Sequence, residues 1–180
     1  ISDNDVKNIA RSCYVLSKNY KFLIKADYII FTLPTPITKN RDPDMRFISS
    51  SIKEAKKYFK KNQLLILEST VYPGATADYF LPVFNELNFS VGKNIFLGFS
   101  PEREDPGNKK FKTETIPKVI GSNNLYSKKL IAQFYSKIFK KIVPVNSNRI
   151  SEATKIYENI FRSVNIALVN EMKFAFKKFD

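Results

Sequence analysis

Residues 28–36 read Tyr-Ile-Ile-Phe-Thr-Leu-Pro-Thr-Pro, an unbroken apolar run that stops between two prolines. A run without polar alternation is the pattern of a strand buried on both faces of a parallel sheet. Proline cannot donate to a ladder, so the strand ends at Leu33. The pattern recurs downstream. Leu64 to Glu68 (LLILE) stops at Ser69-Thr70, and Ile95 to Phe99 (IFLGF) stops at Ser100-Pro101-Glu102-Arg103. Between the apolar runs lie amphipathic ones. Asp42 is read as the cap and Pro43 as the first residue of a helix to Lys61, with Ile48, Ile52, Ala55 and Phe59 on its inner face. Gly74 opens a helix from Ala75 to Leu87, interrupted or kinked at Pro82. A loop rich in Pro, Gly and charge covers Glu102 to Pro117, and strands at Lys118 to Ile120 and Ile142 to Val145 flank a helix from Asn124 to Phe139. Upstream, Asp5 to Arg11 reads as the end of a helix, Cys13 to Leu16 as a short strand and Asn19 to Lys25 as a helical turn or two. Short apolar runs alternating with longer amphipathic ones make the chain an α/β protein with a parallel sheet. Met45 and the many phenylalanines read as core.

The chain closes on Ser151 to Glu171, SEATKIYENIFRSVNIALVNE, a long helix predicted to continue to about Lys178. Ile156, Ile160, Val164, Ala167 and Leu168 form an apolar stripe at three- and four-residue steps. Lys155, Asn159 and Arg162 fall at i, i+4 and i+7 on a different face. An ammonium, an amide and a guanidinium stacked there suit an anionic, hydroxyl-rich ligand. A polar stripe is also the ordinary solvated face of an amphipathic helix, and spacing alone leaves both readings open.

Composition sets the bounds. The 180 residues, 43% hydrophobic and 26% charged, suffice for one domain and not for two of ordinary size. Thirty Lys and Arg against 17 Asp and Glu leave a net charge of +13, which raises a nucleic-acid or membrane-surface reading. Only six of the thirty are Arg, and the lysines are spread through every predicted helix, so neither nucleic acid nor membrane is expected as a partner. The absence of His excludes His-based catalysis and His metal ligands, and no metal site is expected. One cysteine, Cys13, excludes an intramolecular disulfide and fits a reducing compartment. The first residues are acidic and polar, and no apolar run approaches the ~20 residues of a membrane span. The expectation is a soluble cytoplasmic protein.

Chemistry concentrates where the strands end. In an open parallel sheet ligands bind outside the carboxyl ends of the strands, where short polar side chains and backbone groups meet helix N-termini. Successive strands here end at Thr35, at Ser69 and Thr70, and at Glu102 and Arg103. Small hydroxyls beside Pro or Gly suit close approach of a nucleotide, and the Glu-Arg pair supplies an acid or base with an adjacent anion clamp. Each group also serves as an ordinary strand terminator, so it is their common position that points to a site.

Five ordered motifs carry a resemblance. They are Thr32-Leu33-Pro34-Thr35-Pro36; Asp42-Pro43-Asp44-Met45; Glu68-Ser69-Thr70-Val71-Tyr72-Pro73-Gly74; Ser100-Pro101-Glu102-Arg103 with Asp105-Pro106-Gly107-Asn108; and Ser151-Glu152-Ala153-Thr154-Lys155 through Asn170-Glu171. Together they resemble the UDP-glucose/GDP-mannose dehydrogenase family, nearest to the members acting on UDP-N-acetylhexosamines, over nearly the whole chain. The resemblance implies a Rossmann-like NAD-binding domain, present in part over residues 1–146, and the start of a central helical dimerisation and substrate domain over 147–180. It implies NAD as cofactor, a UDP-sugar as substrate and a homodimer paired through the central helix. The implied reaction is a two-step oxidation of a sugar C6 alcohol to a carboxylate, through a thiohemiacetal and a thioester on a cysteine, supplying uronates for polysaccharide. By the same resemblance Thr35 and Thr70 contact the cofactor, with Thr70 near the nicotinamide and helping to position water. Glu102 is the acid/base for thioester hydrolysis. Arg103 and Glu104 line the sugar-nucleotide pocket. Lys155 stabilises the developing oxyanion, Asn159 hydrogen-bonds beside it, and Arg162 is a further substrate contact. A fixed ammonium beside a carbon becoming an alkoxide lowers the barrier electrostatically, which agrees with that role for Lys155.

The chain departs from the family pattern in two ways. Glu104 stands where relatives usually carry an apolar residue, close to a pocket meant for a diphosphate. The Gly-rich strand-turn-helix that cradles the NAD diphosphate and the later segment bearing the nucleophilic cysteine are not among these 180 residues, and Cys13 precedes the site motifs. The expectation is an internal piece of a longer dehydrogenase, inactive by itself. Two other classes stand beside it: a truncated product or sugar-nucleotide binder without catalysis, and a basic nucleic-acid-binding module.

Overall fold

The apolar runs become five four-residue strands: β1 (Tyr28–Phe31), β2 (Leu64–Leu67), β3 (Phe96–Phe99), β4 (Lys118–Gly121) and β5 (Ile142–Val145), hydrogen-bonded in that order. The computed structural model describes residues 17–103 and 113–179. The helix expected at Asp5 to Arg11 and the strand at Cys13 to Leu16 lie outside them. β1, β2 and β3 are parallel, with Tyr28 beside Leu64 and Leu64 beside Phe96. β4 meets β3 antiparallel at Gly121 and Phe99, then pairs parallel with β5. The sheet is therefore mostly parallel, with one reversed junction that the sequence reading did not contain. A parallel neighbour needs a crossover that returns the chain to the starting edge, usually a helix. The described parts of the β3–β4 connection hold only the 3-10 turn Thr113–Thr115, and the chain comes back from the edge at which it left.

Among the described residues four α-helices cover the two faces: α1 (Arg46–Ala55), α2 (Ala75–Glu86), α3 (Leu125–Tyr135) and α4 (Asn148–Phe176). Alternate residues of a strand face opposite ways. Leu65 and Leu67 of β2 thus join Ile48 and Ile52 of α1 and Phe80 and Phe84 of α2, whereas Leu64 and Ile66 pack with Ile131 and Tyr135 of α3. Every residue of β2, β3 and β4 is buried. Each fully buried aliphatic side chain there contributes about 1.5–3 kcal/mol. β1 differs. Ile29 and Phe31 are buried, but Tyr28 and Ile30 are exposed, so this strand is not covered on both faces as its apolar run suggested. Its α3-side face meets only the margin of that helix, where the Tyr28 ring stacks on Phe134 at 4.9 Å between centroids.

Local chemistry moves several helix boundaries. Asp42 does not cap α1: its carbonyl accepts from the Thr38 N–H at 2.8 Å, in a turn closed by a bridge between Ile37 and Pro43. The helix begins three residues after Pro43, with Met45 at the N-cap position, and Asp44 just before it accepts from the Arg46 N–H through Oδ1 at 3.1 Å. It ends at Ala55 and tightens into a 3-10 turn at Lys56–Tyr58, well before Lys61. α2 runs unbroken through Pro82, losing only the bond that its missing N–H would have made. Asn124 caps α3 through the Ser127 N–H at 2.9 Å, and that helix stops at Tyr135, short of Phe139. Asn19 to Lys25 forms a 3-10 helix, Tyr20–Lys25.

Ser147 caps α4 through the Ile150 N–H at 3.2 Å, so the helix starts at Asn148, three residues before the predicted Ser151. Its first turn packs against β4 over Gly121, where a Cβ would lie 2.4 Å from the Ser147 carbonyl oxygen and 2.6 Å from the Ser151 Cβ. Only Asn148, Ser151 and Glu152 of its 29 residues are buried. The apolar stripe beyond them is bare: Ile160, Val164 and Leu168 are 55%, 60% and 58% exposed.

Candidate active site at the strand ends

The three parallel strands β1 to β3 end on one edge, and the hydroxyl residues read at their ends meet there. Ser69 Oγ accepts from the Leu33 N–H at 2.8 Å, and the Thr35 hydroxyl donates to the Thr70 carbonyl at 2.6 Å. Two loops are thereby tied together. Ser69 is buried and spent on this tie, whereas the Thr70 side chain is exposed and the Thr35 oxygen keeps its capacity to accept.

A second cluster joins β3 to α4. Lys155 Nζ donates to the Glu102 backbone carbonyl, and the Arg103 N–H donates to Glu102 Oε1 at 2.7 Å. An ammonium has three donors, so two protons of Lys155 remain for other partners. Asn159 sits half-buried one turn along. Arg103 is not an open clamp. Its Nε donates to Glu158 Oε2 at 3.2 Å, another of its nitrogens pairs with Glu158 Oε1, and Nη1 donates to the Pro117 carbonyl at 3.0 Å. Arg162 lies with Arg103, Tyr157, Glu158 and Phe161 around a groove of about 610 Å³. The Arg162 guanidinium beside two aromatic rings can hold an anion and a planar ring together. Lys155 and Asn159 do not line that groove, so the three-residue stripe divides between two surfaces. Glu104 lies outside the described residues.

The sequence alone assigns no role to three carboxylates, Glu68, Glu152 and Glu158, or to a buried lysine. Lys118 is 4% exposed, its Nζ 2.8 Å from Glu68 Oε1 and 3.9 Å from Glu102 Oε2, and 4.9 and 5.1 Å from the ring centroids of Tyr135 and Phe139. The Tyr135 hydroxyl donates to the same Glu68 oxygen, and burial followed by the Glu68 charge pushes that phenol far above its ordinary pKa. The available signal was a charge opening an otherwise apolar strand, Lys-Val-Ile-Gly. Glu158 was passed over because the i, i+4, i+7 stripe skips it. Glu152 is fully buried: its carboxylate accepts from the Gly74 N–H and, at 2.9 Å, from the Thr76 N–H at the start of α2. Gly74 has φ +113°, a left-handed conformation that favours glycine. Because Glu152 occupies those donors, the α2 N-terminus is not open to a phosphate. Among the described residues no three His, Cys, Asp or Glu side chains could hold a metal ion, and no helix is long and apolar enough to cross a membrane.

Residues 4–141 match the family model described as UDP-glucose/GDP-mannose dehydrogenase family, NAD binding domain. The chain belongs to this family. It is 37% identical to a Staphylococcus aureus protein called CapL, over all of this chain and 42% of that one. It is 34% identical to a Pseudomonas aeruginosa UDP-N-acetyl-D-glucosamine 6-dehydrogenase, over 89% of this chain and 38% of the relative. A UDP-D-ManNAc dehydrogenase structure from Pyrococcus horikoshii superposes with a TM-score of 0.86 at 26% identity, covering 94% of this chain and 40% of that one. The chain thus spans about two fifths of the length of these relatives. The family's fold accounts for the mostly parallel sheet and the long helix after it, and its cofactor is NAD. The donor set at Thr35 and Thr70, neutral hydroxyls and a carbonyl without a free helix N-terminus, fits the ribose and carboxamide groups of NAD and not its diphosphate.

Proposed function

We propose that this chain carries part of the NAD-binding domain, over 1–146, and the first part of the central helix, over 147–180, of a nucleotide-sugar 6-dehydrogenase that oxidises the C6 alcohol of a UDP-N-acetylhexosamine to a uronate for polysaccharide. The observation that supports it most is the Lys155–Glu102 contact, which brings the candidate oxyanion cation and the candidate acid/base to one point on the strand-end edge. Thr35 and Thr70 would hold the cofactor, which supplies the hydride acceptor when bound. Lys155 stabilises negative charge on the sugar oxygen with the protons not given to Glu102, and Asn159 hydrogen-bonds the same oxygen from the next turn. Glu102 takes a proton from water at its carboxylate. Arg103, Glu104 and Arg162 contact the sugar nucleotide, with Arg162 and the rings of Tyr157 and Phe161 beside the groove.

The only thiol of the chain is Cys13, which precedes every strand of the described sheet. The 180 residues by themselves therefore bind and do not turn over. Among the described residues the proposed NAD+ contacts are Thr35 and Thr70, so a Kd in the millimolar range or weaker, roughly −4 kcal/mol, is expected. The bare apolar face of α4, with Phe161, Val164, Leu168, Phe174 and Phe176 all exposed, supports pairing of two copies through this helix. A lone cysteine and a nucleotide-sugar substrate support a cytoplasmic place of action.

The test is NMR titration of the labelled chain with UDP-N-acetylglucosamine and NAD+. The sugar nucleotide should perturb Lys155, Asn159 and Arg162, and Arg162→Ala should weaken it. In a chain extended through the relatives' remaining segments, Lys155→Ala should lower turnover about a hundredfold or more while NAD+ binding persists. Absence of any response on that helix face returns it to a solvated stripe.

A further inference from the structure

Glu158 is an acid standing in a groove read as taking an anion. It lines that groove with Arg103, Tyr157, Phe161 and Arg162. A carboxylate there repels a diphosphate unless its charge is committed elsewhere. The fold commits it to Arg103. Arg103 Nε donates to Glu158 Oε2 at 3.2 Å and Nη2 pairs with Oε1, a two-point fork between side chains that are 26% and 29% exposed. Helical spacing offered Glu158 another partner. Arg162 lies four residues on, at the spacing of an intrahelical ion pair, yet among the described residues the two form none. Arg103 is held on a second side as well, where Nη1 donates at 3.0 Å to the carbonyl of Pro117, the residue before β4. One guanidinium thereby joins the chain leaving β3, the start of β4 and the α4 helix. It carries five N–H groups in one plane, and these contacts use three, so two remain for a ligand.

We propose that Glu158 is a positioning residue for Arg103: its carboxylate fixes the guanidinium at the groove that Arg162 also lines, leaving two N–H groups for the phosphate oxygens of the ligand. The same pairing keeps Glu158 from turning to Arg162 and neutralising it. A long side chain that is mobile in the free protein must be ordered when ligand binds, and that ordering weakens affinity. Arg103 is ordered before the ligand arrives. Glu158 acts through Arg103 and touches no ligand atom. Its meaning for a sugar nucleotide rests on the reading of Arg103 and Arg162 as substrate contacts. The sign of its effect separates positioning from plain electrostatics. Removing an acid from an anion groove strengthens anion binding by Coulomb attraction alone, whereas positioning requires that binding weaken.

The experiment titrates the whole 15N-labelled chain with UDP-N-acetylglucosamine and, separately, with inorganic pyrophosphate, and reads Kd by NMR. Glu158→Gln, near the native shape but uncharged, should bind both about 3- to 10-fold more weakly, the cost of ordering one arginine. Glu158→Asp keeps the charge but falls one methylene short of the fork, and should weaken binding in the same direction. In an Arg103→Met background there is no guanidinium to position, so Glu158→Gln should then leave affinity unchanged or raise it by relieving repulsion. Binding that is unchanged or tighter in Glu158→Gln overturns the proposal. So does a loss of equal size with and without Arg103, which is the mark of a merely structural residue. If Glu158→Gln does not fold, Glu158→Asp and the parent chain decide. Without ligand, the Arg103 Nη resonances of the parent should be separate, because the fork hinders rotation of the guanidinium, and averaged resonances overturn the proposal. A chain that takes pyrophosphate with this pattern but not the UDP-sugar refutes the sugar-nucleotide reading and leaves the role of Glu158 standing, and a chain that takes neither overturns both.

Discussion

Replacing Glu152 should cost the protein more than any other single polar substitution on α4. The carboxylate is fully buried and accepts two backbone N–H groups, Gly74 and Thr76, at the first turn of α2. Glu152→Ala strands both donors. A buried unsatisfied donor costs about 1–3 kcal/mol, and loss of a helix cap about 0.5–2 kcal/mol. The two figures overlap, and a net loss of about 3 kcal/mol is expected, a large part of the 5–15 kcal/mol typical of a whole domain. Glu152→Gln separates shape from acceptor count. It has the same length, but its one carbonyl oxygen can serve one N–H while its NH2 faces the other, so about 2 kcal/mol should still be lost. Urea unfolding followed by circular dichroism measures both. With a slope near 2 kcal/mol per M, the alanine midpoint should fall by about 1–2 M. Hydrogen exchange at the Gly74 and Thr76 amides should accelerate in both variants. If Glu152→Ala stays within about 0.5 kcal/mol of the parent protein, the clamp contributes no more than a surface side chain and the reasoning fails.

Asp44 accepts hydrogen bonds from the Arg46 side chain and backbone, which hold its pKa at about 2 against an ordinary 3.8. A depressed carboxylate contributes stability that is complete above its unfolded value and is lost as pH falls toward 2, so Arg46→Ala should move the Asp44 midpoint in an NMR titration back toward 3.8; a parent midpoint already there would contradict the pair. Gly98→Ala would place a Cβ 2.0 Å from Ile131 Cδ1 and 2.8 Å from the Gly121 carbonyl oxygen, so thermal unfolding should show a loss of about 1–3 kcal/mol. Adding Ile131→Val should recover only part of that loss, because the Gly121 contact is backbone. Sedimentation at tens of micromolar should show a dimer that Phe161→Glu and Leu168→Glu together dissociate, and a well-behaved parent monomer would rule out pairing through α4.

The positions of the residues closest to the backbone were the ones legible in advance. Thr35, Thr70 and Glu102 sit immediately after apolar runs, and a run that ends at Pro or at a short hydroxyl residue also marks where a ligand would approach. The i, i+4 spacing of Lys155 and Asn159 on one helix was legible for the same reason, since helical spacing is local. Arg103 shows where local reasoning stopped. Its guanidinium was read as an anion clamp, and Glu158, 55 residues away, takes it. Asp42 failed as a cap because Thr38 and Ile37 had already drawn it into a turn, a competition between two local structures that residue preference alone does not rank.

Apolar patterning determined the α/β class, four of the helices and the strands that lie between them, because burying an amphipathic face is a demand each segment makes on its own behalf. Pairing across the sheet is a property of no single segment. The antiparallel turn at β4 followed from the way the chain returns after β3, and it alone carried Lys118 to Glu68 and Glu102. In the same way Glu152 reads in the sequence as one more helix-surface acid, and only the docking of α4 on the start of α2 makes it a buried clamp. A charge can be buried only where distant residues supply its hydrogen bonds and counter-charge, and those partners exist only once the chain has folded.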